Sequence, residues 1–258
     1  MEPIAATILV TNDDGIRAPG LAILAEAMAE IARRVIVAAP DREQSGISHA
    51  LTIRRPLRLE EVAPDRFAVD GSPADAVDLL VLGLLDETPD LVVSGINPGF
   101  NLGDDVVYSG TVAGAREGHM LGIPSLAVST AFEADERAYR HAASWAVRFA
   151  RLLLEERLPA RTFLNVNVPP GAGRCRVTRQ GRRASRPALL RRTDPKGKEY
   201  WWIGLAGSRW EPDPDADHAA VAEGVVSVTP LELDATCGEA LAPLEALAAC
   251  SAPAGGER

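Results

Sequence analysis

The sequence predicts an α/β fold, with a mostly parallel sheet between two layers of helices and a C-terminal extended hairpin arm after it. Three observations lead there. Through the first 130 residues, short apolar runs alternate with segments of helical spacing, as in successive βαβ units. Each notable polar cluster follows an apolar run, where loops at the carboxyl ends of parallel strands bind ligands. From residue 172 the periodicity fades and charge gathers in blocks. At 258 residues the chain is near the upper size of a single core, about 250–300 residues, so one large unit with an appendage is expected.

Residues 4–10 form the first expected strand, closed by Asn12-Asp13-Asp14-Gly15. Leu21, Leu24, Ala25, Met28 and Ile31 then fall at helical spacing, and Val35-Ile36-Val37-Ala38-Ala39 makes a second buried strand ended by Pro40. Residues 49–70 read as shorter extended pieces on an edge. Ser72-Pro73-Ala74-Asp75 opens a helix, with Ser72 as N-cap, Pro73 at the first helical position and Asp75 completing a capping box. Residues 90–93 are the next strand, and residues 112–121 a helix stopped by Gly122 with Pro124 beyond. Residues 125–128, 135–154 and 163–168 follow as strand, long helix and strand.

Beyond residue 172, residues 174–198 hold eight arginines and two lysines against one acid, Asp194. Residues 211–217 are the acidic opposite. Both are expected in an extended arm, the charge blocks pairing with each other or with a partner subunit. Residues 224–231 resemble a returning strand and 239–249 a short helix.

Composition excludes several classes. A formal net charge of −9, from 27 basic and 36 acidic residues, argues against a general binder of nucleic acid or anionic membrane. The three cysteines, Cys175, Cys237 and Cys250, are odd in number and far apart, which excludes a disulfide framework and disfavours a zinc–thiolate site. No apolar run approaches the ~18 residues of a membrane span, and Met1-Glu2-Pro3 lacks the basic start of a signal peptide, so a cytoplasmic location is expected.

The chemistry starts at Asp13 and Asp14. Adjacent side chains on a continuing strand point to opposite faces, so these carboxylates converge only if Gly15 breaks the strand. Converging carboxylates repel unless one is protonated or a cation lies between them, and a hard divalent ion, Mg²⁺ or Mn²⁺, suits oxygen ligands. Three more segments add groups. Ala39-Pro40-Asp41-Arg42-Glu43-Gln44-Ser45-Gly46 is a polar loop after the second strand, and Ser94 to Gly103 is a non-repetitive loop carrying Asn97 and Asn101. Tyr108-Ser109-Gly110-Thr111 runs into a helix whose free N–H groups favour a phosphate, although plain capping by Ser109 is the simpler reading. Oxygen donors for a cation beside an N–H-rich anion pocket fit metal-assisted attack of water on a phosphate ester.

These four segments, together with Asp70-Gly71-Ser72-Pro73 and in this order and spacing, resemble the SurE family of survival-protein nucleotidases. The likeness is dense over residues 7–130. It is looser through Asn165-Val166-Asn167-Val168-Pro169 and Tyr200-Trp201-Trp202-Ile203-Gly204 to residues 227–231. The resemblance implies a Rossmann-like catalytic core over 1–171. Residues 172–258 would form the arm and a segment returning to the core, the arm being exchanged in a homodimer or dimer of dimers. It implies a divalent-metal-dependent phosphatase, one Mg²⁺ or Mn²⁺ per subunit, that hydrolyses nucleoside monophosphates; 3′-nucleotides and short polyphosphate stay open as further substrates. Carried over by motif, Asp13 and Asp14 are catalytic and bind the metal with Ser45 and Asn97, while Asn101, Ser109, Gly110 and Thr111 hold the phosphate. The chain departs from the family at Asp215-Ala216-Asp217-His218, where members have a threonine before the aspartate.

Other residues carry less. His49 is a candidate general acid near Ser45, although a lone histidine is more often a structural hydrogen-bonding group. Asp104 and Asp105 read as capping or solvated acids, and Trp201, Trp202 and Trp210 as interface or core aromatics. A phospho-receiver signalling domain is the alternative, since it also places an acidic pair after its first strand; the two lysines, Lys196 and Lys198, both fall in the arm rather than at a strand end. A dinucleotide-binding oxidoreductase lacks its G-x-G-x-x-G turn here.

Overall fold

The computed structural model describes residues 4–155, 158, 159, 162–184, 188–204 and 209–248. Met1-Glu2-Pro3 and Cys250 lie outside them. The chain begins with β1 (Ile4–Thr11), α1 (Pro19–Ala29) and β2 (Ala32–Pro40), then β3 (Leu59–Ala63), β4 (Arg66–Val69), α2 (Pro73–Asp78) and β5 (Leu91–Pro98). It continues through α3 (Gly110–Met120), β6 (Ser125–Thr130), α4 (Glu136–Leu154) and β7 (Phe163–Val168). The last elements are β8 (Cys175–Val177), β9 (Ala188–Thr193), β10 (Glu199–Gly204), α5 (Asp217–Ala222), β11 (Val226–Leu231) and α6 (Gly238–Ala248).

Nine strands form one sheet in the order β3-β4-β2-β1-β5-β6-β7-β11-β8. The pairs from β4 through β7 are parallel, whereas β3 on β4 and β11 on β7 are antiparallel. After β1 the chain moves outward to β2, then returns to place β5 on the other flank of β1. That reversal opens a crevice at the carboxyl ends of β1 and β5, the usual ligand position in such a sheet.

Helices cover both faces. α1 and α4 bury Leu21, Leu24, Met28, Ala142, Ala146 and Phe149 against one face, with Ile8, Val10, Val93 and Val128 beneath them. Ala76, Val77 and Leu80 pack on the other face over Leu9, Ile36 and Val92, and Val112 and Ala115 of α3 pack near Phe163. The alternation of strand residues between these clusters is the period-two pattern of a sheet buried on both sides.

The helix starts follow the sequence signals. Ser72 accepts from Asp75 N at 3.1 Å while the Asp75 carboxylate accepts from Ser72 N at 2.8 Å, so the capping box forms. The helix beyond it differs from a regular one. Residues Leu79–Leu84 wind in a wider turn, and Leu85 N–H reaches Leu80 O at 2.9 Å. Asp135 caps α4 by accepting from Ala138 N at 2.8 Å.

The arm is narrower than the 172–217 span read from the sequence. Among the described residues, β8 pairs in parallel with β11 at the sheet edge, and β9 and β10 form a separate antiparallel hairpin. Among the described residues, no helix is long and apolar enough to cross a membrane. Cys175 and Cys237 are free thiols.

Candidate active site

The aspartate pair sits where β1 ends, and the turn that aims it is held by Asn12. Gly15 has φ +102°, a region that side-chain-bearing residues avoid. The Asn12 side chain brackets it, accepting from Gly15 N at 3.1 Å and donating to Gly15 O at 3.2 Å. The loop after β2 is stitched to this turn by Gln44 N donating to Asp13 O at 2.7 Å and Ile16 N donating to Pro40 O at 2.8 Å. Two loops that are distant in sequence thus become one rigid rim.

Asp13 is buried and Asp14 half-buried. Burial raises the Asp13 carboxyl above its ordinary range, opposed by the hydrogen bond from Thr111. Burial, then the neighbouring charges of Asp13 and Glu43, push Asp14 up to about 7. Asp14 Oδ2 is buried without a hydrogen-bond partner. A buried carboxylate oxygen without a donor costs free energy, and a cation relieves both that cost and the repulsion from Asp13.

A cleft of about 550 Å³ has Asp14, Glu43, Ser45 and Asn97 in its lining. Asn97 Nδ2 donates to Gly99 O at 2.6 Å, which leaves the amide oxygen as the group available to a ligand. Ser45 Oγ donates to Glu43 Oε1 at 2.9 Å, so its lone pairs remain available. Two carboxylates, one hydroxyl and one amide oxygen are the hard donor set that suits Mg²⁺ or Mn²⁺. Among the described residues, no group of three or more His, Cys, Asp or Glu side chains could hold a metal, so neutral oxygens must complete any such site.

The start of α3 abuts Asp13. A Cβ on Gly110 would lie 2.7 Å from Asp13 Cβ and 2.9 Å from Oδ2, so only glycine allows this approach. Ser109 Oγ caps α3, accepting from Val112 N at 3.0 Å. The Thr111 hydroxyl donates to Asp13 Oδ1. Both hydroxyls therefore have partners within the chain, and the first turn of α3 lies against the aspartate pair.

Asn101 is held from three sides. Its N–H donates to Asn167 Oδ1 at 2.8 Å, and its carbonyl accepts from Asn165 Nδ2 at 2.8 Å and Asn167 Nδ2 at 3.0 Å. Its own Nδ2 donates to Ser129 Oγ at 2.8 Å. Sequence reasoning quoted Asn165 and Asn167 but gave them no role. The signal was their spacing: two amides at i and i+2 share one face of an otherwise apolar strand.

The base of the arm also reaches these loops. Asp217 is fully buried; its Oδ2 accepts from Gly103 N at 2.7 Å and its Oδ1 from Gly181 N at 3.1 Å and His218 N at 2.7 Å. Asp104 is exposed, as expected of a solvated acid, but both members of the doublet also meet Arg183. Asp105 receives the Arg183 guanidinium, with Nε to Oδ1 at 2.9 Å, and Asp104 Oδ2 accepts from Arg183 N at 2.8 Å. Trp210 stacks on His218 at 4.9 Å between ring centroids and carries Arg183 on its ring. His49 does not line the cleft. Its Nε2 lies 2.5 Å from Oε2 of the buried Glu117 on α3, a contact that anchors its loop to the helix.

Fold and site together define a class: an α/β protein with a carboxylate pair and neutral oxygen donors at the switch point of a parallel sheet, against a helix N-terminus. Residues 8–187 match the family described as Survival protein SurE. A "5'-nucleotidase SurE" of Geotalea daltonii is 50% identical over 242 residues, covering 92% of this chain and 97% of that relative. A "5'-nucleotidase SurE" of Syntrophotalea carbinolica is 51% identical over 233 residues, covering 89% and 92%. The crystal structure of the SurE protein from Aquifex aeolicus superposes with a TM-score of 0.83 at 42% identity, covering 94% of this chain and 99% of that one. The chain belongs to the SurE family.

Proposed function

We propose that this protein is a divalent-metal-dependent phosphatase that hydrolyses nucleoside monophosphates to nucleoside and phosphate, a 5′-nucleotidase like its named relatives. The observation that carries the reading is the Asp14 carboxylate: half-buried beside Asp13, with one oxygen lacking any donor, in a cleft with two more oxygen ligands. Asp13, Asp14, Ser45 and Asn97 would hold one Mg²⁺ or Mn²⁺. When bound, such an ion supplies Lewis-acid polarisation of a phosphoryl oxygen and a more acidic water. The chain's own groups do the rest. Thr111 and Gly110 fix the Asp13 carboxylate, and Asn12 fixes the turn from β1 toward α1 that carries Asp14. The first turn of α3, at Ser109, Gly110 and Thr111, offers backbone N–H groups and a positive dipole end to the phosphate, and Asn101 borders the same loops. A phospho-receiver role is not favoured by the named relatives.

Assembly belongs to the same reading. Leu189, Trp201, Trp202 and Ile203 on the β9–β10 hairpin are exposed, which supports a homodimer or dimer of dimers built through the arm. The deciding assay measures phosphate release from nucleoside 5′- and 3′-monophosphates and short polyphosphate, with Mg²⁺ or Mn²⁺ and with chelator. Release from 5′-monophosphates that chelator abolishes is expected; activity that resists chelation overturns the metal reading. Light scattering that shows a stable monomer at micromolar concentration overturns the assembly.

A further inference from the structure

The cleft that holds Asp14, Ser45 and Asn97 has a second lining the phosphate chemistry does not use. Ala18, Pro19, Pro98, Phe100, Phe132 and Tyr139 border the same space. Phe132 lies in the loop that follows β6 and is 81% exposed, the largest exposure of any aromatic side chain among the described residues. It is not stray: a Cβ on Gly99 would sit 3.7 Å from Phe132 Cδ2, so the ring edge rests on the same loop that presents Asn97. Tyr139 is fixed from below, its Cε1 lying 2.9 Å from where a Cβ on Gly20 would stand. A ring kept in water beside a polar reaction site is stabilised when a flat apolar group covers it.

We propose that Phe132, with Phe100 in the same cleft lining, is a stacking platform for the base of a nucleoside monophosphate, and that it makes the enzyme prefer nucleotides to base-free sugar phosphates. The inference rests on the nucleotidase reading and adds a specificity residue to it. A ligand with its phosphate at the oxygen cluster must lay the rest of itself along this lining. A bare sugar phosphate would leave both phenyl rings in water, whereas a base covers them. The covering group must also be uncharged or cationic, because Asp14 and Glu43 line the same cleft. Nucleobases meet that condition, and an acidic phosphopeptide does not. Stacking tolerates any base, so purine and pyrimidine nucleotides should share the platform.

The test compares wild type, Phe132→Ala and Phe132→Trp on adenosine 5′-monophosphate and on ribose 5-phosphate, which is the same ester without its base. For Phe132→Ala the KM for the nucleotide should rise about 5- to 100-fold with little change in kcat, while ribose 5-phosphate kinetics stay as in wild type. Phe132→Trp should restore the nucleotide KM. An unchanged nucleotide KM in Phe132→Ala, or an equal rise for both substrates, overturns the platform. If wild type releases phosphate from neither substrate, the nucleotidase reading fails by itself. Calorimetric titration with adenosine 5′-monophosphate then decides the platform alone: weaker binding to Phe132→Ala supports it, and equal or absent binding to both proteins overturns it.

Discussion

Replacing Asp14 with asparagine should stabilise the chelated protein while removing its activity. The structure places this carboxylate half-buried beside Asp13 and Glu43, which raises it from 3.8 to about 7. A group whose folded pKa exceeds its unfolded pKa favours the folded state while it is protonated. That advantage is complete below pH 3.8 and is lost as pH rises to about 7, so at pH 8 the ionised side chain strains the fold. At about 1.4 kcal/mol per pKa unit, the interval from 3.8 to about 7 sets a ceiling of about 4.5 kcal/mol. Water reaching the half-exposed carboxylate reduces this to about 2 kcal/mol. For a chain of this size that is a rise of about 4–8 °C in Tm. The assay is thermal melting of wild type and Asp14→Asn in EDTA at pH 8 and pH 5, then in excess Mn²⁺. The variant should melt higher at pH 8, show a smaller gain at pH 5, and lose the rise in Tm that Mn²⁺ gives wild type. A variant that melts at or below wild type at pH 8 without metal would refute the charge conflict on which the cation argument depends.

Three further outcomes follow from the geometry. Thr111→Val should lower phosphate release at least tenfold while Thr111→Ser keeps most of it, because the hydroxyl that orients Asp13 contributes about 1.5–3 kcal/mol when it serves a charged acceptor; equal activity in both variants contradicts this. Gly110→Ala should retain its circular dichroism spectrum yet lose activity, since the new methyl collides with Asp13 at 2.7 Å; full activity would mean the helix start can move aside. Asn167→Ala removes one of the side chains that hold Asn101 and should cost about 1–3 kcal/mol in urea denaturation. Unchanged stability would show that Asn165 and Ser129 suffice.

The parts of the candidate site that can be read locally are those where a polar cluster directly follows its own strand. Asp13 and Asp14 after β1, Ser45 after β2 and Asn97 at the end of β5 announce themselves locally, because turn chemistry and strand period are local properties. Ser109 could be read as a cap for the same reason, and it is one. What stayed hidden depends on pairing across the chain. That Asn165 and Asn167 serve Asn101 needs the register of β7 beside the loop after β5; the Asn12 bracket on Gly15 is local, three residues apart, but shows only in the turn's geometry. The Asp104-Asp105 doublet could not be understood without Arg183, 78 residues later for Asp105. The wider helical turn at residues Leu79–Leu84 has no mark in an apolar run that satisfies either winding.

The grip of Asp217 on Gly103 spans 114 residues, and that of Asn167 on Asn101 spans 66. During synthesis, the loops bearing Asn97 and Asn101 leave the ribosome long before the groups that hold them. A nascent chain that ends short of Asp217 already contains β1 through β7, enough for most of the sheet, but its loop after β5 lacks the buried carboxylate that receives Gly103. Contacts this distant in sequence close late because the entropy of the intervening loop must be overcome first. The last supports of the loop after β5 are therefore among the latest contacts each new molecule can make.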